Sequence, residues 1–255
     1  MKDCLGRIAT TADGGRIWTV RARPARIGDV TVVRGSAEAW VQAPGGFLRT
    51  VDGGWTWRRV PRTAGLTDIS IPTSRVGYAL RGRQYELELV RTTDRGTWRQ
   101  MRLPCGRGLN QDGFLSFVAP RRGWLLCDGQ PGAGSQLKAL YETLDGARTW
   151  RQLPRSGAAA LYGGGYAWGM SMVRSGAGLI WEARGPTYST KSGGRTWRPI
   201  TITSPELREG TSGWVVSART SYLLVWDNGT RYDVELMRSD DGARTWRRVQ
   251  FWSRR

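Results

Sequence analysis

Short apolar runs alternate with polar, glycine-rich turns along the whole chain. Three of these runs carry a glycine followed by an aromatic residue: Val76–Leu80, Gly123–Leu126 and Gly213–Val216. The chain has 14 Trp and 35 Gly, and regularly placed tryptophans among many glycines indicate tight turns that are each followed by a packed strand. The pattern predicts an all-β protein of many short strands.

One turn sequence recurs six times, with the pattern Ser/Thr-x-Asp-x-Gly-x-Thr-Trp. Residues 50–57 match it at every defined position. The other copies depart from it once each: Ile17 replaces the threonine, residues 92–98 are one residue short, Ala147 and Ala243 replace the glycine, and Ser192 replaces the aspartate. The repeated acidic position is held by Asp13, Asp52, Asp94, Asp145, Ser192 and Asp241, and the repeated tryptophans are Trp18, Trp57, Trp98, Trp150, Trp197 and Trp246.

The residue types in this turn, called the box below, have structural uses. The aspartate can accept hydrogen bonds from backbone N–H groups of its own turn, and glycine supplies positive φ where the chain reverses. The tryptophan starts the next strand and buries a large ring. The boxes lie about 40–50 residues apart, which is the length of a four-stranded propeller blade. The repeat therefore predicts a β-propeller, with the boxes as structural turns.

These boxes resemble the bacterial neuraminidase repeat, or Asp-box, of sialidases and of the photosystem II assembly-factor propellers. The resemblance covers nearly the whole chain, and the glycine-aromatic strands are more similar to those of the assembly-factor type. It implies a single β-propeller domain over residues 1–255 whose blades run from strand A to strand D, with the box in the C–D turn.

The box positions set the predicted blade boundaries. Five complete blades are expected at Asp29–Val60, Asp68–Met101, Phe114–Leu153, Ala167–Ile200 and Trp214–Phe251. Arg7–Thr11 and Ile17–Arg21 then form an N-terminal half blade. The chain is either six-bladed with one half blade or an N-terminally truncated larger propeller. No signal peptide is visible, but we expect the natural start to lie upstream, which would place the protein in the extracellular space or cell envelope.

Charge and composition narrow the chemistry. The net charge is +18, nearly all from arginine, which indicates either an anionic partner or the codon bias of a GC-rich genome. The absence of histidine excludes Ser-His-Asp, Cys-His and His-metal chemistry, and we expect no metal and no cofactor.

No stretch approaches the roughly 18 apolar residues of a membrane span. Cys105 and Cys127 follow a D and a B strand, whose loops share a face, so we expect a disulfide, with two free thiols as the alternative.

Ligands of propellers usually meet the face formed by the D–A and B–C loops. The candidate binding residues there are Arg62, Arg81, Arg83, Arg107, Asp128, Glu182, Arg184, Arg208, Asp227 and Arg231. The surplus of arginine predicts a face that binds anions or acidic proteins, and ordinary solvated loop charge is the alternative.

The sialidase resemblance would imply an arginine cluster, a tyrosine nucleophile with a glutamate partner, and an aspartic acid. The Arg-Ile-Pro motif of those enzymes is absent, because Ser70 precedes Ile71-Pro72. Tyr232 and Glu235 lie three apart in a predicted strand, so their side chains face opposite sides of the sheet. We therefore expect a non-catalytic, monomeric scaffold that binds a protein or glycan partner, with a sialidase-like glycoside hydrolase as the alternative. Nucleic-acid binding is disfavoured, because the chain has neither a recognised motif nor a basic cluster.

Overall fold

The computed structural model describes residues 8–13, 16–21, 28–82, 85–153, 165–202, 210–226 and 234–252. Within these ranges the protein is all-β. It contains five four-stranded antiparallel sheets and one two-stranded sheet, and in every sheet the spatial order of the strands follows the chain. The five sheets are the blades of a β-propeller, which confirms the predicted fold class.

The strands lie close to the positions that the boxes predict for them. β1 (Ala9–Thr10) and β2 (Thr19–Val20) form the two-stranded sheet, at the place of the predicted half blade. Blade one is β3 (Val30–Val32), β4 (Ala39–Ala43), β5 (Gly46–Thr50) and β6 (Arg58–Arg59). Blade two is β7 (Leu66–Ser70), β8 (Gly77–Arg81), β9 (Glu88–Thr92) and β10 (Arg99–Met101). Blade three is β11 (Asp112–Phe117), β12 (Gly123–Asp128), β13 (Lys138–Thr143) and β14 (Arg151–Gln152). Blade four is β15 (Tyr166–Met172), β16 (Gly178–Ala183), β17 (Thr187–Thr190) and β18 (Arg198–Ile200). Blade five is β19 (Gly210–Val215), β20 (Ser221–Trp226), β21 (Val234–Ser239) and β22 (Arg247–Trp252).

The first strand of blade five differs most from its predicted position. The sequence pattern places it at 214–218, whereas β19 ends at Val215. The backbone N–H groups of Val216 and Ser217 both donate to the carbonyl of Thr220, at 2.9 and 3.1 Å. The segment after Val215 is therefore a turn, and the strand extends towards its N-terminal side instead.

The chain divides into two compact units. The first contains Met1–Gly82 with Glu88–Leu103, and the second contains Arg83–Leu87 with Pro104–Arg255. In the first unit, apolar side chains of blades one and two form one cluster that includes Trp40 and Phe47. In the second unit, blades three and four share a cluster around Trp124, and blades four and five share another around Leu223. Apolar faces of neighbouring sheets therefore pack on each other within each unit.

The box turns satisfy their own hydrogen bonds. The carboxylate of Asp52 accepts from the backbone N–H of Trp55 at 2.9 Å and from the hydroxyl of Thr56 at 2.6 Å. In blade four the Ser192 hydroxyl takes this place and accepts from the backbone N–H of Thr196 at 2.9 Å. Hydrogen bonds donated within the turns lower the pKa of the box carboxyls Asp13, Asp52, Asp94, Asp145 and Asp241. The local bonding leaves these carboxylates without need of a ligand.

The glycine three positions before the box tryptophan accepts a hydrogen bond from the indole of that tryptophan. The indole N–H groups of Trp57 and Trp197 donate to the carbonyls of Gly54 and Gly194, both at 3.1 Å. Where alanine takes the glycine position, at Ala147 and Ala243, its φ is still positive, at 67° and 63°. In those two boxes the tryptophan N–H meets no acceptor among the described residues.

Replacing Gly194 by alanine is expected to destabilise the fold by about 2 kcal/mol. Gly194 has a φ of +87°, and an added Cβ would lie 2.6 Å from Leu140 Cδ2 and 3.0 Å from Leu153 Cδ1. The left-handed conformation and the overpacked contact both oppose the methyl group. Urea unfolding followed by tryptophan fluorescence measures the change. Gly96→Ala is the matched control in another box, because nothing lies within 4 Å of its added Cβ. Equal stability of the two variants would contradict the argument.

The predicted disulfide is present. Cys105 and Cys127 are bonded, with their Cα atoms 5.7 Å apart. The bond attaches the segment after β10 to the end of β12, inside the second unit. A disulfide is typical of an oxidising compartment. Among the residues that the structure describes, no helix has the length and apolar character to cross a membrane.

Candidate functional site

A pocket of about 750 Å³ opens in the second unit, where β11 and β15 begin and β12 and β16 end. The boxes of blades three and four lie at the opposite ends of their strands. Carboxylate, amide, guanidinium and aromatic side chains share the pocket wall, which is a mixture typical of ligand sites. The lining residues are Gln111, Asp112, Phe114, Asp128, Pro131, Gln136, Tyr166, Ala167, Trp168, Ala183 and Arg184.

A row of charged residues crosses blade three at this end. Asp112 on β11 lies directly opposite Asp128 on β12, which lies directly opposite Lys138 on β13. Directly opposite residues of antiparallel strands present their side chains on the same face. The backbone N–H of Asp112 donates to Asp128 Oδ1 at 2.9 Å. The Asp128 side chain is only 1% exposed and lines the pocket.

The row continues into blade four through a buried ion pair. Lys138 Nζ lies 2.9 Å from Oε1 of Glu182, and neither side chain is exposed to solvent. Lys138 Nζ also donates to the carbonyl of Gly165 at 3.0 Å. The second oxygen of Glu182 meets no hydrogen-bond donor among the described residues. An ion pair enclosed in this way gains much of its Coulomb energy only by losing the hydration of both partners.

Burial sets the protonation of the carboxyl groups in this row. Burial, reinforced by the neighbouring charge of Asp112, raises the pKa of Asp128 to about 7, against a smaller opposing effect of Lys138. Burial also raises the pKa of Glu182, and the contact with Lys138 opposes that change. Asp128 therefore holds a proton over much of the range in which an exposed carboxyl group is ionised. Perturbed carboxyls of this kind concentrate at functional sites.

Asp128→Asn is expected to make the protein more stable than the wild type at pH 8, by on the order of 2 kcal/mol, and to change little at pH 4. The folded-state pKa of about 7 lies above the ordinary aspartate pKa of 3.8, so the wild type loses stability as the pH rises through this interval. Asparagine stays neutral and still accepts a hydrogen bond at Oδ1. Urea unfolding at the two pH values measures the difference, with the exposed Asp29→Asn as control. A variant less stable than the wild type at pH 8 would refute the assignment.

A β-bulge brings an aromatic side chain to the pocket. Ala167 pairs with Glu182 and Gly169 with Trp181, so Trp168 is an extra residue on β15. Ala167 and Gly169 are buried while Trp168 is 45% exposed. Its ring stacks on Trp226 of β20, with centroids 6.0 Å apart and planes inclined by 19°. Bulges often re-aim a side chain beside a functional site, and this one produces an open aromatic platform.

Gln136 supports the pocket from below. Its Nε2 donates to the carbonyl of Gly129 at 2.9 Å, and its Oε1 accepts from the backbone N–H of Ala167 at 2.8 Å. The side chain is buried and connects the β12–β13 loop to the bulged strand. Both ends of the amide are used, so Gln136 positions the wall and is not available to a ligand.

The structure brings together only part of the predicted binding set. Asp128 and Arg184 line the pocket, and Glu182 lies behind it. Arg107 is exposed in the same unit but does not line the pocket. In the first unit, Arg62 is exposed and Arg81 lies 3.8 Å from Glu88. Four predicted residues fall outside the described residues: Arg83, Arg208, Asp227 and Arg231.

Three pocket features escaped prediction from the sequence. Asp112 is missed because the sequence pattern begins strand A of blade three at Phe114, two residues after the observed start of β11. Lys138, one of three lysines in the chain, is the first residue of β13 and is followed directly by three apolar residues, and this contrast is a usable signal. The position of Trp168 depends on a bulge, which strand patterns do not reveal. Within the described part of the chain, no three His, Cys, Asp or Glu side chains group as metal ligands.

No protein-family model and no curated protein matches this sequence. Solved structures do resemble it. YCF48 bound to D1 peptide has a TM-score of 0.51 and 16% identity, over 87% of this chain and 81% of that one. An ancestral GH74 enzyme has a TM-score of 0.52 and 10% identity, over 94% of this chain and 32% of that one. Regucalcin from Agrobacterium tumefaciens, described as a calcium-binding protein, has a TM-score of 0.54 and 12% identity, over 87% and 73%. These likenesses establish the propeller fold.

Proposed function

We propose that residues 1–255 form one β-propeller domain of the Asp-box kind, which binds a protein partner without catalysis. The partner docks over the pocket of the second unit. The observation that carries the proposal is Trp168, displaced from its strand by a bulge, stacked on Trp226 and 45% exposed beside the pocket. Large rigid aromatic side chains in this setting are frequent anchors of protein interfaces.

Other features support a polypeptide ligand. The pocket offers polar and aromatic surfaces side by side, and the solved YCF48 structure, of the same fold, holds a peptide. Arg107 and Arg184 are both exposed on this unit, Arg184 at the rim of the pocket, and both are suited to acidic groups of the partner. The disulfide accords with a location outside the cytoplasm, in the extracellular space or cell envelope. We expect the protein to be monomeric when unbound.

Glycoside hydrolysis is the second candidate, because Asp112 and Asp128 share one pocket. A carboxyl group with a pKa of about 7 beside a second carboxylate is the arrangement that an acid–base pair needs. The GH74 enzyme shows that the fold can hold such chemistry. A sialidase-type reaction is less well supported. Glu235, the glutamate that would assist a tyrosine nucleophile, accepts a hydrogen bond at 2.8 Å from Arg248 of the outer strand β22.

Peptide and glycan arrays probed with wild-type protein test the proposal. We expect retention on a subset of peptides and at least a tenfold loss in Trp168→Ala. Trp55→Ala is the control, because Trp55 is another exposed tryptophan, at 58%, in a box of the first unit. Binding to peptides that survives in Trp168→Ala would reject the site, and Trp168-dependent binding to glycans alone would reject a protein partner.

A panel of fluorogenic glycosides, including a sialoside, tests the second candidate. We expect no turnover by the wild type. Turnover that disappears in Asp128→Asn but persists in Asp29→Asn would replace the binding function by catalysis.

A further inference from the structure

The charges of the row across blades three and four do not balance. It contains the carboxyl groups of Asp112, Asp128 and Glu182 and the single ammonium group of Lys138. Lys138 lies 2.9 Å from Glu182 and directly opposite Asp128, so one ammonium group faces more than one carboxyl group. Arg184 lines the pocket but is exposed, and an exposed cation contributes little to a buried carboxylate. Among the residues that the structure describes, the floor of the pocket is thus short of positive charge.

Asp128 provides the sharper sign of a missing partner. Its side chain is 1% exposed and lines the pocket, and the hydrogen bond that the structure gives it is the one that Oδ1 accepts from the backbone N–H of Asp112. A carboxylate can accept several hydrogen bonds, and one that is withdrawn from water normally does so. An N–H donor that enters the pocket would supply both the bond and the charge.

The walls of the pocket favour an organic cation over a metal ion. Phe114, Tyr166 and Trp168 line the same pocket as the two aspartates, and aromatic faces attract ammonium and guanidinium groups. A metal ion would need more oxygen or nitrogen ligands than the described pocket assembles. Both the carboxylates and the rings are therefore suited to a cation that carries an aliphatic stem.

We infer that the pocket receives one lysine or arginine side chain of the protein partner, with its charged group against Asp112 and Asp128 and its stem against the aromatic wall. This inference rests on the proposed function and specifies the residue that the partner inserts. It reverses the expectation from net charge, because a +18 protein attracts acidic peptides in general. Non-specific attraction would consequently favour the opposite sequences, which makes the test discriminating.

The experiment uses immobilised pools of random hexapeptides in which one central position is fixed as a single amino acid. We expect the lysine and arginine pools to retain at least tenfold more protein than the norleucine pool, which keeps the stem and lacks the charge. Asp112→Asn should lower that retention at least fivefold. Asp29→Asn, the same charge change at an exposed site of the first unit, should leave it unchanged. Soluble n-butylammonium, and not n-butanol, should release the protein from the lysine pool.

The pH dependence supplies a second readout. The charged groups that face Asp128 are Asp112 on β11, Lys138 on β13 and Arg184 at the rim. Because a bound cation displaces the proton held with a pKa of about 7, retention on the lysine pool should rise between pH 6 and pH 8. The rise should be absent in Asp128→Asn.

The outcomes separate the two proposals. If the norleucine and lysine pools retain equal amounts of protein and Trp168→Ala abolishes this retention, the inserted lysine or arginine is refuted, while the peptide-docking site at Trp168 is supported. Preference for aspartate or glutamate pools would also overturn the inserted cation. Retention on no pool at all would overturn both the cation and the peptide-binding function.

Discussion

Lys138→Met is expected to destabilise the fold by about 3–5 kcal/mol at pH 8, the largest effect of any single substitution considered for this chain. Lys138 and Glu182 are both fully buried, with Nζ 2.9 Å from Oε1. Removing the ammonium group leaves a carboxylate enclosed without its counter-ion. Methionine retains most of the apolar volume, so the loss reports on charge and not on a cavity. Urea unfolding followed by tryptophan fluorescence measures the difference.

The double variant Lys138→Met with Glu182→Leu is the control for this prediction. It removes both charges, so we expect it to recover most of the lost stability. The single variant should also suffer less at pH 5 than at pH 8. Burial already raises the pKa of Glu182, so the group is more readily neutral in the folded state, and its unfavourable contribution grows as the pH rises. Equal losses in the single and double variants would show that the ion pair is not the source.

Loss of the Cys105–Cys127 bond is expected to destabilise the protein by about 3 kcal/mol and to lower its Tm by about 6–12 °C. The two cysteines are separated by 22 residues, and the bond restricts that loop in the unfolded chain. In the folded protein it also attaches the segment leading to Asp112 to the residue before Asp128. Thermal unfolding of Cys105→Ala with Cys127→Ala measures the effect.

Cys4→Ser is the matched control, since it changes one cysteine and leaves the bonded pair intact. It should unfold at the wild-type temperature, and a reducing agent should lower that temperature to the value of the double variant. If the reducing agent leaves the Tm of the wild type unchanged, the bond does not constrain the fold.

The blades could be predicted from the sequence because each box is a local structure. The hydrogen bonds of Asp52 reach no further than Thr56, so the residue types in the turn determine its geometry without reference to distant parts of the chain. One box per blade then sets the phase of the strands. The disulfide followed from the same phase, because loops after D and B strands share a face.

The pocket could be predicted only in part because it depends on relations between strands. Asp128 and Arg184 were found from their loop positions. The contact of Lys138 with Glu182 joins two blades, and the row from Asp112 to Lys138 depends on register. Trp168 is exposed only because its strand carries one residue more than its partner. No local pattern encodes these relations.

The bulge at Trp168 also bears on how such a surface is acquired. It adds one residue to β15, and the pairing on both sides of it remains regular, from Tyr166 to Ala167 and from Gly169 to Met172. A one-residue bulge is the structural counterpart of a single-codon insertion. Because the buried residues of the strand keep their places before and after it, a propeller can obtain or discard an aromatic platform in one step. The interior of the domain need not be redesigned when the ligand changes.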